Sequence, residues 1–358
     1  MPLSRRGFIA MAVAGRLSGP ELRRYPDPAT ELEVIRLTDP TFASGMTNPH
    51  LRQFGRRSDT LLYWSERYGA ARQAFQLDLR SGDSHLLTDA AALDSASLAF
   101  SADERNFYYF DGRSLVESSL GNLKTRELHR TPEGAVRTGM ALAADGSVLF
   151  IETQGGQARL MRVTRAGASA VLQADEPIEL VAGRPRYPQL LYRTGAGLNL
   201  VNLDGAGKRQ LKLEPGQTGE ALWTQSGAAV LYLHVPDDPK QLITLREYDP
   251  AANAEKLLAK TSQFESVAPN ADASVFVGAS RSRASAYVLL LLRVTRRELT
   301  LCEHHASDPK MVAPVFSPDS QSVFFNSDRH GKQAVYRVHI EKFVEETTAE
   351  GKDDRHEE

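Results

Sequence analysis

The sequence predicts an all-β fold: a seven-bladed β-propeller of four-stranded blades, the last blade closed by a strand from the N-terminus. The first observation behind this is a short apolar strand pattern that recurs seven times, ending at Tyr63, Tyr109, Phe150, Tyr192, Tyr232, Val277 and Phe325, at intervals of 46, 41, 42, 40, 45 and 48 residues. That spacing is one propeller blade. The second is a further pair of β-rich runs behind most of these strands. The third is a mismatch at the ends: the last unit lacks its outer strand, and a spare strand stands ahead of the first.

In chain order, Glu33-Val-Ile-Arg-Leu-Thr38 is that spare strand. The repeated strands follow, from Thr60-Leu-Leu-Tyr63 to Ser322-Val-Phe-Phe325. Four of them come after a polar turn at a similar offset: Ser101-Ala-Asp103, Ala143-Ala-Asp145, Pro269-Asn270 and Ser317-Pro-Asp319. Pro, Asn, Asp and Ser favour turns by fixing φ or by bonding their own backbone. Second runs such as Ala74-Phe-Gln-Leu-Asp-Leu79 and Ala334-Val-Tyr-Arg-Val338 alternate and carry β-branched residues, as strands do. Units one to six then close with a short strand, from Leu86-Leu87 to Glu298-Leu299. A ring whose last blade borrows its outer strand leaves no free sheet edge.

Residues 31–340 are therefore expected to form one ring, although 358 residues would by length alone suggest two or three domains. Residues 1–30 are an arm. It carries Ser4-Arg5-Arg6-Gly7-Phe8-Ile9, a twin-arginine pattern, then an apolar stretch ended by Arg16 and an Ala12-x-Ala14 that a peptidase accepts. A periplasmic address is expected, and otherwise a cytoplasmic one. The apolar stretch is far too short to span a bilayer. Residues 341–358 read as a solvated acidic tail.

Net charge is −2 and no segment concentrates Lys and Arg beside aromatics, which argues against nucleic acid as a partner. A single cysteine, Cys302, excludes an internal disulfide and a thiolate metal cluster. No G-x-S-x-G, G-x-x-x-x-G-K or H-E-x-x-H occurs, so hydrolase-elbow, phosphate-loop and zincin chemistry have no support. His304 and His305 are adjacent and, on a strand, point to opposite faces. The informative histidine is His50, in Thr47-Asn-Pro-His-Leu-Arg52, expected to form the innermost strand of blade one. His50, Arg52, Arg184 and Arg193 are the candidate substrate-binding residues: guanidinium groups grip carboxylates in a bidentate fork. A hydrolase built on His50 lacks an evident nucleophile or paired carboxylate.

The sequence resembles the oligogalacturonate lyase family and, more loosely, the propeller repeats of Tol-type periplasmic proteins. The likeness is carried by Ser101-Ala-Asp-Glu-Arg-Asn-Phe-Tyr-Tyr109, Leu200-Val-Asn-Leu-Asp-Gly205, Leu301-Cys-Glu-His304, Pro314-Val-Phe-Ser-Pro-Asp319 and Ser327-Asp-Arg-His-Gly331. It implies a propeller that splits short pectin fragments by β-elimination, with manganese held by three histidines and a glutamine and an arginine as base. Those positions fall on Ser266, Met311, Ala313, near Asp308, and on Gly197, and none carries the family's residue. No catalytic residue, metal ligand or cofactor is therefore carried over. The expected ligand is an acidic, uronate oligosaccharide, bound or cleaved by other residues. The alternative is a periplasmic scaffold for a protein partner.

Overall fold

The computed structural model describes residues 17–69, 71–261 and 264–340. Seven antiparallel sheets follow one another around a ring. The blade built from residues 136–174 shows the pattern: Val136–Leu142 is innermost, then come Val148–Gln154, Gln157–Thr164 and, outermost, Gly167–Ala174.

The N-terminus closes the ring. Glu33–Arg36 adds to Ala334–His339, with Val34 opposite Val338 and Arg36 opposite Tyr336. The chain stays zipped beyond the strand, where Leu37 N–H donates to the Val335 carbonyl and Val335 N–H to Thr38 Oγ1 (2.8 and 3.0 Å). Arg23–Pro26 adds a fifth strand outside Glu33–Arg36, and Leu17–Ser18 adds one outside the first blade. The chain from residue 17 thus clasps the sheets of both terminal blades. The twin-arginine segment and the acidic tail lie outside the described residues.

Packing explains why the repeated strands read as unbroken apolar runs. Each of seven buried clusters spans two neighbouring blades. On Thr60–Ser65, Leu61 and Tyr63 face blade seven while Leu62 and Trp64 face blade two. A strand covered on both faces has no side that must be polar. Fully burying one such side chain contributes about 1.5–3 kcal/mol. Near the axis the inner strands crowd: a Cβ on Gly183 would stand 2.1 Å from the Leu142 carbonyl oxygen of the preceding blade, so only glycine fits.

One expectation fails locally. Thr47 to Arg52 is not strand. The inner strand of blade one is Ser44–Met46, and pairing resumes at Phe54 opposite Leu61. Pro49 has no N–H to give a ladder. Asn48 instead folds the chain into a turn, its Oδ1 accepting from His50 N–H and its carbonyl from Leu51 N–H, both at 3.0 Å.

Candidate functional site

That turn pushes His50 into a cavity of about 540 Å³ lined also by residues of blades four, five and six and of the segment leading into blade seven. The wall includes Arg193, Glu220, Glu265, Ser266, Arg281 and Lys310.

His50 Nε2 lies 3.2 Å from Glu220 Oε1, and both side chains are more than four-fifths buried (18 and 16 % exposed). Glu220 sits on Gln217–Trp223, and its other oxygen accepts the Val267 N–H of the next blade at 2.6 Å. The carboxylate is fixed at both ends, and it fixes the imidazole. Arg193 is held by the Thr218 and Gly219 carbonyls (3.0 and 2.8 Å) and by Glu179 at 3.1 Å. Arg281 pairs with Glu265 at 3.1 Å. Lys310 belongs to the short helix Pro309–Val312, N-capped by Asp308 and anchored by buried Pro309 and Val312. Its ammonium enters no ion pair among the described residues. The wall therefore holds three permanent cations against two carboxylates.

The expected residues divide. His50 and Arg193 meet in this cavity; Arg52 and Arg184 do not line it. Arg52 turns toward blade two and donates to the Ala102 carbonyl at 3.1 Å. Arg184 is a wedge between blades four and five, its guanidinium over the rings of Tyr187 and Trp223 (4.1 and 4.9 Å) while Nε donates to the Gly227 carbonyl at 2.7 Å. Burial lowers the pKa of both arginines from the usual value. Glu220, Glu265, Arg281 and Lys310 were not singled out by the sequence. Glu220 lies between Gly219 and Ala221 with no motif around it, and only its place in an inner strand could have marked it.

The space also tests the fit of a manganese ion. Ser266 and Ala313 line the cavity. Ser266 Oγ is buried with no hydrogen-bond partner among the described residues, and Ala313 offers no donor. The Met311 carbonyl is taken by Asn326 Nδ2 at 3.2 Å, Asp308 caps the helix, and Gly197 has no side chain. Among the described residues no three His, Cys, Asp or Glu side chains gather as a metal site. Manganese prefers oxygen and nitrogen donors; of those in this cavity His50 and Glu220 are paired with each other and Glu265 with Arg281, which leaves one hydroxyl in the company of ammonium and guanidinium groups and does not fit the ion. His304 is not an alternative ligand: it is wholly buried and its Nδ1 accepts the Ala306 N–H at 3.0 Å, while exposed His305 pairs with Glu303 at 2.6 Å.

Fold and cavity together define a seven-bladed propeller with a cavity, lined from blades one, four, five and six and the segment leading into blade seven, that bears three cations and two carboxylates. No family model matches the chain. It resembles the oligogalacturonate lyases. A curated oligogalacturonide lyase from Pectobacterium atrosepticum is 21% identical over 381 residues, covering 88% of this chain and 95% of that one. A solved oligogalacturonate lyase in complex with manganese superposes with a TM-score of 0.87 at 21% identity, over 92% of this chain and 98% of its own. The oligogalacturonate lyase of Vibrio parahaemolyticus gives 0.86 at 19% identity, over 91% and 98%. The fold is thus shared along nearly the whole length of these proteins. No helix among the described residues is long and apolar enough to cross a membrane.

Proposed function

We propose that the axial cavity binds an acidic oligosaccharide made of uronate units. The observation that carries this reading is the convergence of Arg193, Arg281 and Lys310 on one cavity of about 540 Å³, room for more than one sugar ring. Cations drawn from three separate parts of the ring suit carboxylates spaced along a chain of sugars. The names of the relatives, which act on oligogalacturonides, point to the same ligand class. Calorimetry with trigalacturonate and with an uncharged trisaccharide of similar size tests it. Heat of binding with the acidic sugar alone is expected. Equal binding of both, or of neither, contradicts the reading. Failure to bind sugar alongside specific capture of a protein from an envelope fraction would favour a scaffold instead.

A second reading, cleavage by β-elimination, is favoured by the His50–Glu220 pair. A carboxylate that holds one imidazole nitrogen leaves the other to accept a proton, here the one beside a bound uronate carboxylate. Ultraviolet absorbance of the unsaturated product, present in the parent and lost in His50→Ala, is the test. The twin-arginine segment supports export to the periplasm. Sequencing the N-terminus of the protein recovered from cells checks that address.

A further inference from the structure

Every carboxylate of the cavity wall already has a partner: Glu220 is held by His50 and the Val267 N–H, and Glu265 by Arg281. Arg193 is fastened to Glu179 and two carbonyls. Lys310 stands apart. The buried neighbours Pro309 and Val312 fix its helix, Ala313 ends it in a left-handed turn (φ 38°), and the exposed lysine is presented at the cavity with its ammonium outside every ion pair of the described residues. Arg281 is bound to Glu265 through Nε, and no hydrogen bond joins its outer nitrogens to another of the described residues. A divalent ion placed here would face three like charges, and the imidazole and carboxylates of the wall are already engaged, His50 with Glu220 and Glu265 with Arg281. An anionic ligand meets the opposite situation, since the Lys310 ammonium, outside every ion pair of the described residues, gains by pairing with it.

We infer that Lys310, supported by Arg281, supplies to a uronate carboxylate the positive charge that manganese supplies elsewhere, so that the cavity takes its acidic sugar without a metal ion. The inference rests on the proposed function and sharpens it: the ligand is recognised through ammonium and guanidinium groups, and divalent ions contribute nothing to affinity.

The test is calorimetry of trigalacturonate with the full chain, once in excess chelator and once in excess Mn²⁺, for the parent, Lys310→Met and Lys310→Arg. Equal affinity in both solutions is expected, with a loss of about tenfold in Lys310→Met and recovery of most of it in Lys310→Arg. Lys310 is exposed, so an unchanged melting temperature confirms that the variants fold. Binding that appears only with Mn²⁺ overturns the inference and leaves the proposed ligand standing. Binding unaffected by Lys310→Met also overturns it. Absence of binding in both solutions overturns the inference and the proposed function together.

Discussion

His50 and Glu220 come from blades one and five, and in the folded ring their side chains meet at 3.2 Å. The contact matters for stability as well as for the site, because the same carboxylate satisfies the Val267 N–H of blade six. Glu220→Ala strips a partner from a backbone donor and from an imidazole, and is expected to cost about 1–3 kcal/mol. Glu220→Gln keeps an acceptor for the amide and is expected to cost less. Urea unfolding of both variants measures the difference; equal losses would contradict it.

The N-terminal closure predicts a core-like response from a strand near the chain start. Ile35 is 2 % exposed and packs with Leu61, Phe324 and Val335, tying blade seven to blade one. Ile35→Ala is expected to destabilise by about 2–5 kcal/mol, the cost of a cavity in a packed core. A surface-like change below about 0.5 kcal/mol in denaturant melts would mean the strand is dispensable.

The division of the arginines gives a functional contrast. Arg193→Ala is expected to weaken trigalacturonate binding about tenfold, while Arg52→Ala leaves affinity unchanged. Arg184→Ala is expected to lower stability by about 1–2 kcal/mol through loss of its stack with Tyr187 and Trp223, with no change in affinity. Calorimetry paired with thermal melts separates the two roles.

His304 makes the fold sensitive to acid. Burial pushes its pKa from 6.5 down to about 4, with His305 and Arg329 lowering it further and the Ser280 carbonyl and Asp328 opposing. The folded state binds the proton less readily than the unfolded one. Stability from this group is therefore complete above the unfolded value and is lost as pH falls from there through the folded one. Going from about pH 7.5 to about pH 5 should cost on the order of 2 kcal/mol. His304→Gln should flatten that dependence. Parallel pH profiles of urea midpoints would contradict the assignment.

What the sequence shows and hides follows from the range of the interactions. The blade turns are local: in Ser101-Ala-Asp103 the Ser101 hydroxyl donates to Asp103, which accepts the Arg105 N–H, and Ser317-Pro-Asp319 repeats the arrangement. The doubly buried strands are legible because burial on both faces leaves an uninterrupted apolar run. Arg23–Pro26 is hidden because its residues are mostly exposed and polar, so neither alternation nor hydrophobicity marks them. The site is hidden for another reason. Glu220 and His50 are far apart in sequence and acquire meaning only when ring closure brings their blades together. Arg184 and Arg193 look alike in sequence, yet the first lies in the loop after an inner strand, beside Tyr187 and Trp223, and the second on the strand that follows, facing the cavity.

The most direct test of the account is a crystal structure of the chain soaked with trigalacturonate in the presence of chelator. The account predicts sugar density inside the cavity beside His50, with carboxylates within hydrogen-bond reach of Lys310, Arg281 or Arg193. Sugar seated elsewhere on the ring, or a cavity that stays empty at saturating ligand, would contradict it.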